Sequence, residues 1–150
     1  MTSYKYRFEK VLTLREQERD ETEMAYKEAI QQFEEIATEL YNQMKKKEET
    51  LEEQQQRMAT GFSIDDLHHY SRFIDMLEVK IDQTQQEVMK SRSKMNWYEA
   101  QLLEKNIEVK KFEKMKEIGK EKYDAEMEHV EANRIDELST IKFRSKEDRW

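Results

Sequence analysis

A seven-residue repeat runs through the middle of the chain, from Leu67 to Val109. An apolar residue returns at every seventh position without a miss, and charged residues are frequent between these positions. Such a repeat is typical of a long helix that lies along another helix. The pattern therefore predicts a coiled-coil seam, but it does not identify the second helix. The seam residues are Leu67, Ile74, Ile81, Val88, Met95, Leu102 and Val109.

The first 59 residues carry a less regular apolar series, which predicts a first helix over residues 4–59. The series is weak at Arg15, Glu18 and Thr22, and it is firmer further along. Thr2 or Ser3 is suited to cap the start of this helix. The apolar positions of the series are Phe8, Val11, Ala25 or Tyr26, Ala29, Phe33, Ile36, Leu40, Met44, Leu51 and Met58.

A break between two helices is predicted at residues 60–63. Gly61 can adopt the left-handed conformation that ends a helix. Ser63 is suited to cap the next helix, with Asp66 in the third position of a capping box and Asp65 in the first turn. We therefore predict a second helix over residues 64–141, followed by a tail over residues 142–150.

A short turn between two long helices with complementary seams favours an antiparallel hairpin. In such a hairpin, facing residues have numbers that add to about 122, which places Phe33 opposite Val88 or Met89 and Leu40 opposite Ile81. The start of the first helix, at residue 4, then lies opposite about residue 118, next to Gly119. The predicted fold is all-α: one antiparallel two-helix coiled-coil hairpin over residues 1–150, with the second helix overhanging or frayed beyond about residue 119.

Composition supports one elongated helical unit. Charged residues make up 41% of the chain and hydrophobic residues 36%, with no proline and two glycines. The absence of cysteine excludes disulfides and zinc–thiolate sites. The longest run without a formal charge covers residues 58–64, which is too short for a membrane span or a signal-peptide core. We therefore expect a cytoplasmic protein.

Charge is distributed unevenly along the chain, whose net charge is −7. Residues 1–15 carry four bases and one acid, residues 16–53 carry five bases and thirteen acids, and residues 108–122 carry six lysines and four glutamates. In the predicted hairpin the two basic segments meet at the open end, and the acidic segment lies along the shaft. A basic end of this kind can steer toward an acidic partner.

The sequence offers little for catalysis or metal binding. Asp65 and His69 share a helix face beside His68, but two ligands rarely make a metal site, and no glycine-rich phosphate loop is present. A two-helix hairpin also has no cleft in which to raise the pKa of a carboxyl group. We therefore predict a protein that is not an enzyme and that has no cofactor and no metal.

An apolar strip near the turn is wider than one partner helix requires. Phe73 and Met76 flank the seam residues Ile74 and Leu77. This strip is open to two interpretations. It is either excess packing at the edge of the seam or a docking surface, because partner helices use anchors at this i, i+3, i+4 spacing.

Three segments resemble the FliJ family of flagellar export proteins. They are Tyr4-Lys5-Tyr6-Arg7-Phe8 followed by Val11-Leu12, the run from Tyr70 through Phe73-Ile74 and Leu77-Glu78 to Ile81, and Asn133-Arg134 followed by Asp136-Glu137. The resemblance spans the chain and also extends, in kind, to the stalk proteins of virulence type III secretion. It implies a hairpin like the two terminal helices of a rotary ATPase γ subunit.

The resemblance also implies partners. Family members bind the hexameric export ATPase through the open end of the hairpin, and they bind the export gate membrane protein through a face early in the second helix. They also act as chaperones or escorts in export, and export chaperones are further expected partners. The expected gate-binding residues are Phe73, Met76, Leu77, Lys80 and Thr84. The expected ATPase-binding residues are Arg7, Lys10, Val11, Lys116 and Lys120.

The sequence thus predicts a non-enzymatic part of the flagellar export apparatus, associated peripherally with the basal body, with no nucleic-acid partner and no membrane insertion of its own. The alternative is a structural scaffold or filament protein without an ATPase partner. Such a protein would dimerise through the 67–109 seam, which a parallel pair of second helices could share.

Overall fold

The computed structural model describes residues 3–148. They form two helices, α1 (Glu9–Thr60) and α2 (Ile64–Asp148), and no strand occurs in this range. Contacts between the helices show that they run in opposite directions: Gln32 on α1 accepts a hydrogen bond from Lys94, and Lys47, further along α1, pairs with Glu78, which comes earlier on α2. The predicted all-α hairpin is confirmed.

The hairpin divides into two compact units. The turn unit spans residues 20–104 and contains the connection between the helices, whereas the terminal unit comprises residues up to Arg19 together with residues from Lys105 onward. Each unit contains a segment of both helices. The turn unit carries the apolar strip around Phe73, and the terminal unit carries the basic segments, so each candidate surface belongs to one unit.

The turn between the helices has the conformation that the sequence predicts. Gly61 has a φ of +82°, and it is the only described residue with positive φ. The backbone N–H of Asp66 donates a hydrogen bond to the Ser63 hydroxyl oxygen over 3.3 Å, so Ser63 caps α2. A left-handed glycine and a serine cap thus reverse the chain within three residues, and α2 begins at Ile64.

The seam of α2 is buried within a single chain. Ile74, Ile81 and Val109 are buried, and Leu67, Val88, Met95 and Leu102 are half-buried. The residues three positions after Ile74, Ile81 and Val88 are also buried. They are Leu77, Thr84 and Ser91. The hydroxyls of Thr84 and Ser91 donate to carbonyl oxygens of their own helix, at Lys80 and Val88, which offsets the cost of burying them. The helix that covers this seam is α1 of the same chain.

The predicted inner face of α1 is wrong near the turn. Met44, Leu51 and Met58 are 50%, 38% and 54% exposed, whereas Thr50 is only 5% exposed. The inner positions are polar instead, because the Thr50 hydroxyl can donate to the Lys46 carbonyl oxygen at 2.7 Å and so be buried at little cost. Apolar character alone therefore did not identify this face. The register differs by about three residues from the predicted one, since Arg92 lies over the Phe33 ring at 5.5 Å, one turn beyond Val88.

Both ends of the hairpin differ from the predicted bounds. The first helix begins at Glu9 rather than at residue 4, so Ser3 does not cap it, and Thr2 lies outside the described residues. At the other end, α2 continues to Asp148 rather than ending near residue 141. The final two residues of the predicted 142–150 tail lie outside the described range. From Asp124 to Glu147 every residue is exposed, so this part of α2 is a helical overhang.

Candidate functional sites in the two units

A non-helical segment, residues 3–8, packs against α2 in the terminal unit, and we call it the N-terminal strap. Its aromatic side chains are half-buried, whereas Lys5 and Arg7 between them are exposed. The Tyr6 hydroxyl donates to the carbonyl oxygen of Phe112 at 2.9 Å, and burial raises the pKa of this tyrosine. The Phe8 ring lies 6.3 Å from the Phe112 ring. These contacts hold the strap on α2.

Gly119 lies where the strap meets α2. A Cβ added at this glycine would clash with the Tyr4 hydroxyl, and it would lie 3.2 Å from the ring carbon that bears this hydroxyl. The Tyr4 ring also packs against Tyr123, with 5.5 Å between centroids. A glycine inside a helix costs about 1 kcal/mol relative to alanine. Here the missing side chain makes room for the strap.

The Gly119–Tyr4 contact can be tested with a double-mutant cycle. In a Tyr4→Ala background, Gly119→Ala is expected to raise the free energy of unfolding by about 1 kcal/mol, because only helix propensity changes. In the wild-type background the displaced Tyr4 ring should offset this gain, giving a coupling free energy of about 1 kcal/mol. Urea denaturation of the four proteins measures it. Equal effects in both backgrounds would contradict the assignment.

Several basic residues of the terminal unit are held in ion pairs. Lys116 contacts Glu9 at 3.0 Å, and Lys105 and Arg15 both contact Glu18, at 3.6 and 3.1 Å. The hydrogen bond from Arg15, with the nearby charge of Lys105, lowers the pKa of Glu18. The Lys116–Glu9 and Lys105–Glu18 pairs connect α1 and α2 within the unit, whereas Arg15 and Glu18 both belong to α1. Lys116, one of the expected ATPase-binding residues, therefore also has a structural partner.

The other expected ATPase-binding residues differ in exposure. Arg7, Lys10 and Lys120 are exposed, whereas Val11 is half-buried next to the buried Leu12. The Arg7 guanidinium carbon lies 5.6 Å from the Phe8 ring centroid, so the strap helps to position it. Lys120 lines a groove with Tyr4 and Tyr123. The terminal unit thus presents basic side chains on the strap, on the start of α1 and on α2.

Sequence reasoning missed the strap, although a signal for it exists. Residues 4–8 alternate strictly between aromatic and basic side chains. A period of two is typical of an extended segment with one buried face and does not fit a helix. This alternation therefore indicates an extended segment before the first helix, which begins at Glu9 rather than at residue 4.

The apolar strip of the turn unit borders a shallow groove between α1 and α2. Phe73, His69 and Tyr70 line it from α2, and Lys46 and Glu53 line it from α1, with Thr50 at its base. Burial raises the pKa of Tyr70, and so does its hydrogen bond with Glu53. The groove thus combines an apolar α2 wall with a charged α1 wall.

The expected gate-binding residues are not equally accessible. Phe73 is half-buried, Met76 is 45% exposed and Lys80 is exposed. Leu77 and Thr84 are only 6% and 4% exposed, because both lie in the seam. The surface available on this side of α2 is therefore formed by Phe73, Met76 and Lys80. Leu77 and Thr84 support that surface from within the seam.

Neither a metal cluster nor a membrane span was found over the described range. No group of three or more His, Cys, Asp or Glu side chains is placed to hold a metal ion there, and His68 and His69 are exposed. Within residues 3–148, neither helix has a segment long and apolar enough to cross a membrane. The two surfaces described above are therefore the candidate sites.

Comparison with known proteins identifies relatives along almost the whole chain. The family model described as "Flagellar FliJ protein" matches residues 4–148. The chain is 36% identical to the flagellar FliJ protein of Bacillus subtilis (strain 168) over 141 residues, which cover 94% of this chain and 96% of that protein. A solved structure of a putative YscO homolog, CT670 from Chlamydia trachomatis, is 17% identical. It aligns with a TM-score of 0.48 over 99% of this chain and 100% of its own.

Proposed function

We propose a function from the premise that the chain belongs to the flagellar FliJ family. The protein is a non-enzymatic component of the flagellar type III export apparatus. Its terminal unit binds the hexameric export ATPase and promotes its assembly or activity, and its turn unit binds the export gate membrane protein. In this role it acts in the cytoplasm at the base of the flagellum and assists export as a chaperone or escort.

The exposed basic surface of the terminal unit is the observation that carries the ATPase proposal. Arg7, Lys10 and Lys120 of this unit are exposed, whereas Lys116 is engaged with Glu9. A cluster of exposed like charges lowers the stability of the free protein slightly and raises the rate of encounter with an acidic partner. The strap holds part of this cluster in place, which reduces the entropy lost on binding.

The ATPase proposal is tested by reversing two exposed basic charges, Arg7 in the strap and Lys10 at the start of α1. Arg7→Glu combined with Lys10→Glu is expected to weaken binding to the purified export ATPase by about tenfold or more, because charge attraction becomes repulsion. Affinity is measured by titrating each variant over the export ATPase immobilised on a sensor surface, and ATP hydrolysis is measured in parallel. Lys116 is left unchanged because its replacement would also break the Glu9 ion pair.

The matched control reverses two exposed lysines of the turn unit, Lys45→Glu and Lys90→Glu, and so makes the same change in net charge. This control is expected to bind the ATPase with nearly unchanged affinity. Circular dichroism and urea denaturation should show that both variants remain folded. Unchanged binding by the Arg7 and Lys10 variant, or equal loss in the control, would contradict the assignment of this surface.

The alternative function, a scaffold that dimerises through the 67–109 seam, finds less support. Ile74, Ile81 and Val109 are buried in the single chain, so a second copy would have to displace α1 to reach them. The seam thus has its partner already. Membership of the FliJ family also favours the export function.

A further inference from the structure

The overhang of α2 carries an apolar stripe that is exposed among the described residues, and its Met127, Val130 and Arg134 line a groove with Ser3 and Tyr4. Met127, Val130, Leu138 and Ile141 are 40%, 59%, 49% and 63% exposed. With Arg134 at the centre, they follow one another at intervals of three, four, four and three residues, which places them on one face of the helix. A face of this kind in an isolated helix is stabilised by packing against another helix.

The stripe has the same order of spacings when it is followed from either end. Two copies that lie antiparallel with Arg134 at the two-fold axis place Met127 opposite Ile141 and Val130 opposite Leu138. This arrangement is isologous, as expected for a two-fold pair. It forms a closed dimer in which every apolar residue of the stripe meets an apolar residue of the other copy.

Charges beside the stripe fit the same arrangement. Residues 124–137 carry six acids and one arginine, whereas residues 138–147 carry three bases and one acid. At 100° per residue, Asp124 and Lys142 lie along one flank of the stripe, and Glu126 and Arg144 lie along the other. In an antiparallel pair, equal flanks face each other. Asp124 then meets Lys142 of the second copy, and Glu126 meets Arg144.

The central arginine is also accommodated. Glu131 and Glu137 lie one turn to either side of Arg134 on the same helix. In the antiparallel pair, the arginine of each copy lies between acidic residues of the other copy. A parallel pair would instead bring opposite flanks together, so that Asp124 meets Glu126 of the other copy and Lys142 meets Arg144, which is repulsive.

We infer that this overhang is a self-association surface, and that its occupant is the overhang of a second copy of this chain in antiparallel orientation. The contact spans roughly 15 to 20 residues of each helix, or about 25 Å. This is a small interface, so we expect a reversible dimer with a dissociation constant in the micromolar range, ~10 μM. The inference concerns residues 124–146 and does not depend on the proposed function.

Sedimentation equilibrium of the full chain from about 1 to 200 μM tests the inference. The mass is expected to rise from the monomer value of 18.4 kDa toward twice that value. Val130→Gln with Leu138→Gln should weaken the dimer by about tenfold or more, because each change is felt twice. Phe143→Gln is the matched control, since Phe143 is 63% exposed on the opposite face. It should leave the dimer unchanged.

A charge-exchange series tests the orientation. A chain with Lys142→Glu and Arg144→Glu, and a chain with Asp124→Lys and Glu126→Lys, should each be monomeric at concentrations where a mixture of the two forms a heterodimer. A chain carrying all four changes should dimerise like the wild type, because an antiparallel pair then regains its opposite charges. In a parallel pair, like charges meet before and after each exchange, so the loss of the dimer in each double variant is the result that a parallel pair would not give.

Three outcomes would overturn the inference. One is a wild-type chain that stays monomeric throughout the concentration range. Another is a dimer that is insensitive to Val130→Gln with Leu138→Gln, and a third is failure of the fourfold charge exchange to dimerise. Circular dichroism of every variant shows whether the helices remain formed. A pair mediated by the 67–109 seam would give the second of these outcomes.

Discussion

Val109→Asp is expected to lower the free energy of unfolding by about 4 kcal/mol, because it removes a buried side chain and places a carboxylate in an apolar site. Val109 is 1% exposed, and it is the most completely buried residue of the described chain. It belongs to the terminal unit, where the strap also packs. Urea denaturation followed by circular dichroism measures the loss, and hydrogen exchange should locate it in the terminal unit.

Ile107→Asp provides the matched control for this change. Ile107 is two residues away on the same helix and is 49% exposed, although it is the larger side chain. Its replacement is expected to change stability by no more than about 0.5 kcal/mol. If Ile107→Asp were as destabilising as Val109→Asp, burial at the seam would not be the source of the stability of this unit.

Leu77→Ala is expected to lower the free energy of unfolding by about 2 to 4 kcal/mol, whereas Met76→Ala should have little effect on it. Leu77 is 6% exposed in the seam, and its neighbour Met76 is 45% exposed. Both were expected at the gate-binding surface. The structural difference between them separates a direct role in binding from an indirect one, because only Met76 is accessible to a partner.

The effects on gate binding should be ranked the other way: in folded protein, Met76→Ala should weaken binding more than Leu77→Ala does. Met76→Ala and Phe73→Ala are expected to weaken binding of the export gate domain by about tenfold, because a docked helix or loop loses an apolar anchor. Leu77→Ala, measured well below its unfolding temperature, should bind more nearly like the wild type. If Phe73→Ala and Met76→Ala lost stability but bound normally, the strip would be part of the core.

The second helix could be predicted from the sequence because one long helix meets one neighbour along most of the seam. Under this constraint, the position that recurs every seven residues from Leu67 to Val109 is apolar each time. The turn could also be predicted, because glycine adopts a positive φ at no steric cost and the hydroxyl of a serine before a helix can cap it. Local chemistry and helix periodicity agreed in these segments.

Prediction was wrong on α1 near the turn because more than one face was available. Thr50 can bury its hydroxyl by bonding to its own helix, so it competes with Leu51 for the inward position. The sequence pattern alone does not decide whether Thr50 or Leu51 takes the inward position. The choice depends on how α1 packs on α2, where Thr50 lines a groove with Tyr70 and Phe73, and this is a property of the two helices together.

The candidate sites were predicted as regions more accurately than as residues. The basic end and the apolar strip were visible in the charge counts and in the position of Phe73. The exposure of individual residues could not be predicted in this way. Leu77 and Met76 are adjacent apolar residues in the sequence, but they lie on different faces of α2 and differ in exposure. Gly119 illustrates the same limit, because its role depends on Tyr4, more than a hundred residues away.

The hydroxyl groups in the seam have a consequence for sliding of one helix along the other. Thr50, Thr84 and Ser91 all bond to carbonyl oxygens of their own helix, so these three side chains impose no axial alignment on the opposite helix. In the turn unit, that alignment depends on contacts such as Lys47 with Glu78, which water and salt can reach. Burial therefore holds the helices together, whereas ionic strength can influence how firmly one is fixed along the length of the other.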